Sequence, residues 1–252
     1  MPDPAPHARY PSLDGRPVLI TGGASGIGAA MVRAFAAQGS KVGFLDRDAD
    51  GAAAVSEATG AAHVLCDLRD VDALRDAVAD LADRNGPATV LVNNAARDDR
   101  HDWRDVTPDY WDERMATNLR HMFFAIQACA PAMAAAGGGS IVNMGSNSWW
   151  EAVGGMPAYV TAKSGVQGLT RTMARDLGGD RIRVNCVVPG WIMTERQKDL
   201  WVTPEALAKH LDRQCLPDPV QPEDVVGAVL FVASDEAGAM TAGNLFVDGG
   251  SV

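Results

Sequence analysis

Residues 17 to 28 read PVLITGGASGIG, a β-branched run that passes through a glycine-rich turn into a helical pattern. The helix side carries Ile27, Met31 and Phe35 on one face and stops at Gly39, a good C-capping residue. Glycines here let the backbone approach a pyrophosphate, and a helix N-terminus offers free N–H groups with a partial positive charge. A glycine-rich turn alone marks many ordinary loops. Strand, turn and helix in this order, with Asp46 closing the next strand pattern KVGFLD, make a dinucleotide site the better reading. A carboxylate at that position accepts both hydroxyls of an adenosine ribose and repels a 2′-phosphate. That opposition amounts to several kcal/mol at ~5 Å, even at an effective dielectric of ~20. NAD is therefore expected; Arg47, able to swing toward a phosphate, keeps NADP open.

Outward from this unit, β and α patterns alternate to the end of the chain. Further strand runs fall at 41–45, 62–66, 89–93, 140–144, 182–188 and 244–248. Several are apolar without alternation, as in strands covered by helices on both faces. Thr107 and Pro108 read as the N-cap and first turn of another helix. The expected architecture is α/β: one Rossmann-type, doubly wound sheet of seven mainly parallel strands. Residues 1–14 form a Pro-rich, loosely ordered N-terminal extension, and 15–252 form the domain.

Composition narrows the function. The 252 residues suit one large domain, and a net charge of −10 disfavours nucleic acid and anionic membrane. No apolar run approaches the ~20 residues of a membrane span, and the N-terminus lacks a signal peptide pattern. A cytoplasmic location is the default. The four cysteines are dispersed without a C-x-x-C pair, so neither disulfide nor zinc is expected.

A second constellation lies at 146–163. Tyr159 and Lys163 stand at i and i+4, on one helix face, with Ser146 at the end of the fifth strand run. A tyrosine, with an ordinary pKa of ~10, needs a shift of ~2–3 units to act as a base near neutrality. An ammonium at ~4.5 Å at an effective dielectric of ~20 supplies about that much. Alone, Y-x-x-x-K more often marks a packed ring and a solvated amine; beside a nucleotide turn it points to catalysis.

These residues, with Asp67 in CDL, NNA at 93–95, Asn118, PG at 189–190, Thr194 and the closing VDGG, resemble the short-chain dehydrogenase/reductase family along nearly the whole chain. The resemblance implies that Tyr159 is the general base and Ser146 orients the substrate oxygen. Lys163 would bind the nicotinamide ribose and depress the tyrosine pKa, and Asn118 would hold a relay water. It implies a cofactor site of Gly22, Ser25, Gly26, Ile27, Gly28, Asp46, Arg47, Asp67, Leu68, Asn94, Tyr159, Lys163, Pro189, Ile192 and Thr194. A homotetramer built through the helices near 107–134 and 157–178 is also implied. Two positions depart from the family pattern: Ala96 and Ala242 stand where glycine is usual.

Within the family the chain is most similar to bacterial aldose 1-dehydrogenases acting on D-xylose or L-arabinose. The marks are DDRH (98–101), YWDER (110–114), NLRHM (118–122), CVVPG (186–190), RQ (196–197), TPE (203–205) and QCL (214–216). The expected reaction is oxidation of an anomeric hydroxyl to a lactone. A segment at about 191–221 would cover the sugar. Asp98, Asn147, Glu151 and Gln197 are candidates for its hydroxyls; Trp191, and Trp149 or its neighbour Trp150 with the other of that pair facing away, are candidates for its apolar face. Two other readings remain at this stage. One is a dehydrogenase or reductase of a polyol, steroid or 3-oxoacyl substrate; the other is a non-catalytic NAD sensor, disfavoured by the intact Asn/Ser/Tyr/Lys set.

Overall fold

The computed structural model describes residues 7–252. Strands and helices alternate: β1 (Pro17–Thr21), α1 (Gly26–Ala37), β2 (Lys41–Asp46), α2 (Ala49–Thr59), β3 (Ala62–Leu65), α3 (Val71–Asn85) and β4 (Val90–Asn93). Next come α4 (Pro108–Met115), α5 (His121–Ala135), β5 (Gly139–Met144), α6 (Pro157–Leu177), β6 (Ile182–Pro189), α7 (Glu195–Leu200), α8 (Pro204–Leu211), α9 (Pro222–Ala233) and β7 (Asn244–Val247).

The strands form one seven-stranded sheet in the order β3-β2-β1-β4-β5-β6-β7, and every pairing is parallel. Order reverses between β1 and β4, which places the switch point, and the crevice that goes with it, beside the glycine-rich turn. Two apolar clusters sandwich the sheet. One packs α1 and α9 through Met31, Phe35, Val225 and Leu230; the other packs α3 and α5 through Leu74, Leu81, Ile126 and Met133. Strands buried on both faces account for their unbroken apolar runs.

Two local details differ from the sequence reading, and a third bears on a position where glycine is usual. The loosely ordered extension concerns residues 1–14, of which 1–6 lie outside the described residues. Residues beyond them are tied down: the Gln38 amide accepts from the Tyr10 N–H at 2.9 Å and donates to the Ala8 carbonyl at 2.9 Å, and Leu13 is fully buried. The long helix containing Asn118 is broken by a π-helical turn, Ala116–Arg120, between α4 and α5. Ala242 adopts φ 60, a left-handed geometry that disfavours a Cβ by roughly 1–2 kcal/mol. Its N–H donates to the Val184 carbonyl at 2.8 Å, which anchors the turn into β7 despite that cost. Among the described residues no helix is long and apolar enough to cross a membrane.

Candidate active site

A cleft of about 660 Å³ runs along the C-terminal ends of the strands. The glycine-rich turn forms one end. Gly22 has φ +72, and a Cβ there would stand 2.8 Å from the Ala95 Cα; a Cβ on Gly28 would stand 1.8 Å from the Gly22 carbonyl oxygen. Only glycine fits this backbone approach. The Asn94 amide clamps the turn by donating to the Thr21 and Gly22 carbonyls at 3.0 and 2.9 Å. Ser25 occupies the N-cap of α1 without a side-chain capping bond, so the first-turn N–H groups have no side-chain acceptor at the cleft. That cradle and those donors fit a pyrophosphate.

Asp46 is held rigidly. One carboxylate oxygen accepts from the Ala24 N–H at 2.9 Å; the other accepts from the N–H groups of Arg47 and Asp48 at 2.7 and 3.0 Å. The oxygen bonded to Ala24 keeps capacity for a further donor, while the other already accepts two. Arg47 is exposed on the same rim. Asp67 also lines the cleft, but Arg69 grips both its oxygens, at 2.9 and 3.0 Å from Nε, and that hydrogen-bonded pairing holds its carboxyl down at about 2. Leu68, Pro189, Ile192 and Thr194 complete this part of the lining. Gly26 lies just behind it, where a Cβ would meet the Thr194 methyl at 3.2 Å.

Midway along the cleft stand Ser146, Tyr159 and Lys163. Ser146 caps a short 3₁₀ turn after β5; its Oγ accepts from the Ser148 N–H at 3.2 Å and donates to the Ser148 Oγ at 3.0 Å. Lys163 is only 2% exposed, donates to the Met144 carbonyl at 2.7 Å, and lies 5.8 Å from the Tyr159 ring centroid. The electrostatics differ from the sequence expectation that Lys163 depresses the tyrosine. Burial pushes the Tyr159 phenol up to about 12, with Asp98 adding to the rise and Ser146 and Arg100 opposing it. Burial likewise pushes the Lys163 ammonium down to about 8. The ammonium is turned toward a carbonyl rather than the phenol oxygen, and desolvation outweighs its field.

Asn118 is fully buried and does not line the cleft. Its Oδ1 accepts from the Arg97 N–H at 2.8 Å and its Nδ2 donates to the Arg114 carbonyl at 2.9 Å. It therefore ties the loop after β4 to the π turn. Behind it, burial holds His121 down at about 4; its Nε2 lies 3.1 Å from the Ala95 carbonyl.

The far end of the cleft contains Asp98, Asn147, Glu151, Trp191 and Gln197. Asn147 donates to Glu151 at 2.9 Å and to Ser251 at 2.8 Å, and Arg213 lies 3.4 Å from Glu151. Asp98 and Gln197 are less free than expected. Gln197 donates to Asp98 at 2.8 Å and accepts from the Trp191 indole at 2.8 Å, while Arg196 donates to Asp98 at 2.6 Å. The expectation for Trp149 is corrected outright. It does not line the cleft; its ring stacks on Trp150 at 3.7 Å between centroids, and Trp150 packs edge-on to Phe246 at 4.8 Å. Trp150, the C-cap of the 3₁₀ turn, thus packs against β7, and Trp149 against Trp150.

Arg100, Arg196, Trp201, His210 and Arg213 line the same end and escaped sequence reasoning. For Arg196 a signal existed: opposite charges at 98–99 and 196, in two segments expected to flank one substrate.

Comparison with known proteins agrees with this geometry. A family model described as enoyl-(acyl carrier protein) reductase matches residues 22–251. The chain belongs to the short-chain dehydrogenase/reductase family, whose dehydrogenases use the nicotinamide cofactors NAD(P). It is 49% identical over 251 residues to a protein named probable galactose dehydrogenase from Rhizobium meliloti, covering 97% of this chain and 98% of that one. It is 47% identical over 248 residues to the D-xylose 1-dehydrogenase of Caulobacter vibrioides, covering 96% and 98%. A solved short-chain type dehydrogenase/reductase from Mycobacterium ulcerans superimposes with a TM-score of 0.91 at 25% identity, covering 97% and 91%.

Proposed function

We propose that this chain oxidises an aldose, such as D-xylose, L-arabinose or D-galactose, at C1 to the lactone with NAD. The observation that carries the proposal is the composition of one continuous cleft: a pyrophosphate cradle and Asp46 at one end, Ser146 and Tyr159 midway, and a wall of mutually paired polar groups at the other. Relatives named for aldose oxidation support the sugar. A wall whose arginines and carboxylates face one another suits a neutral polyhydroxylated ring better than a steroid or an acyl chain.

In this reading Gly22, Ser25, Ile27 and Gly28 hold the pyrophosphate, Asp46 the adenosine ribose, and Thr194, Ile192 and Lys163 the nicotinamide end. Asp46 favours NAD over NADP by charge repulsion. Ser146 donates to the anomeric oxygen and fixes C1 beside Tyr159. Tyr159 takes the hydroxyl proton as the C–H electron pair leaves as hydride and C1=O forms. A bound oxidised nicotinamide supplies hydride acceptance and a positive charge of the sign that stabilises a phenolate.

Assaying aldopentoses, aldohexoses and acyclic polyols with NAD and NADP, by absorbance of the reduced cofactor, tests this. The expected result is turnover of at least one aldose with NAD and none of the polyols. Silence on every aldose with activity on a polyol would sink the sugar, and a preference for NADP would overturn the role of Asp46.

A further inference from the structure

The aldose reading assigns no work to Arg196, yet this side chain joins two segments that are distant in sequence. Its guanidinium forks between Asp98, at 2.6 Å, and Asp99, at 2.5 Å, and Asp99 is also held by Arg114. The second oxygen of Asp98 accepts from Gln197 Nε2 at 2.8 Å. That bond fixes the amide's orientation, because the NH₂ group must face the carboxylate. The amide oxygen is then turned to accept from the Trp191 indole N–H, at 2.8 Å. Trp191 is further braced by the ring of His210, edge-on at 5.3 Å and itself only 4% exposed.

We propose that Arg196 is a positioning residue for the sugar: through Asp98 and Gln197 it sets where the Trp191 ring stands in the substrate wall. The inference rests on the aldose reading for its kinetic consequence, but not for its geometry. Forked, charge-assisted pairs between partly buried groups constrain orientation as well as adding energy, which an isolated surface ion pair does not. Arg196 is 31% exposed and Asp98 18%, so the fork stands at the mouth of the cleft rather than free in solvent.

The test is a double-mutant cycle of Arg196→Met and Trp191→Phe, the latter keeping a ring but removing the indole N–H. Arg196→Met alone should raise the sugar KM about tenfold, within the range for directly coupled residues, with kcat and NAD affinity changed less than about threefold. In the Trp191→Phe background the same substitution should change KM by less than about twofold. Arg196→Lys, which keeps charge but not the fork, should give the same pattern at smaller size, so a poorly folded Met variant does not leave the question open. A substrate-free readout separates this inference from the reading beneath it. In ¹⁵N-indole-labelled protein, the Trp191 resonance, assigned by its loss in Trp191→Phe, should shift in the Arg196 variants. An unmoved resonance, or equal KM effects in both backgrounds, overturns the positioning role. Failure of the wild-type protein to oxidise any aldose overturns the aldose reading alone.

Discussion

Replacing Tyr159 with phenylalanine is expected to lower turnover about a thousandfold, within the range for loss of a general base, while NAD affinity stays within about twofold of wild type. The substitution removes one oxygen and leaves the ring in its place over Lys163. As the proposed base, Tyr159 also sets the expected pH dependence. Burial and Asp98 raise the phenol to about 12, so the active, deprotonated form grows as pH rises. Below the working pKa, kcat/KM for sugar oxidation should therefore climb with pH, by up to tenfold per unit, and Ser146→Ala should lower the rate without flattening the climb. Initial rates from pH 6 to 9, with binding followed by titration of NAD, check both. Retained turnover in Tyr159→Phe, or a wild-type profile that falls with pH, would remove Tyr159 from the proton transfer.

Gly28→Ala should be nearly as damaging, by a different route. Its methyl would stand 1.8 Å from the Gly22 carbonyl oxygen and 2.8 Å from the Asn94 amide nitrogen, the two groups whose 2.9 Å bond closes the turn. No rotamer relieves a backbone overlap, so the turn must open, at a cost of roughly 1–3 kcal/mol. The donors of the α1 first turn then move away from the pyrophosphate. NAD binding should weaken by about a hundredfold, the equivalent of nearly 3 kcal/mol. Asn94→Ala, which releases the clamp without a clash, should weaken binding in the same direction by a smaller factor, and circular dichroism should show the sheet intact in both. Unchanged NAD affinity in Gly28→Ala would mean that the cofactor does not rest on this turn.

How much of this could be read from the chain depended on whether a signal was local. Each strand run is a short β-branched stretch, and all seven strands form within a residue or two of the expected bounds. The turn at 21–28, Asp46 and the Tyr159/Lys163 pair are legible for the same reason: a few adjacent side chains suffice to define them. Trp149 failed because the face it presents is decided by Trp150 and, beyond that, by Phe246 on the last strand. The raised Tyr159 phenol failed because desolvation is a property of the packed chain, whereas the i, i+4 spacing showed only the nearby charge. Asn118 was marked only through the family resemblance, and the π turn and its grip on Arg97 depend on a loop elsewhere in the sequence. Arg196 left only a long-range signal, the opposite charges of Asp98 and Asp99, which belong to the loop after β4.

The most direct measurement of the central claim is the fate of deuterium placed at C1 of D-xylose, or of whichever aldose the substrate panel selects, during oxidation with NAD. Mass spectrometry of the reduced cofactor should show it heavier by the transferred deuterium, with the sugar recovered as an unlabelled lactone or its hydrolysed acid. Reduced cofactor that carries no deuterium, with the label still on the sugar, would contradict oxidation at C1.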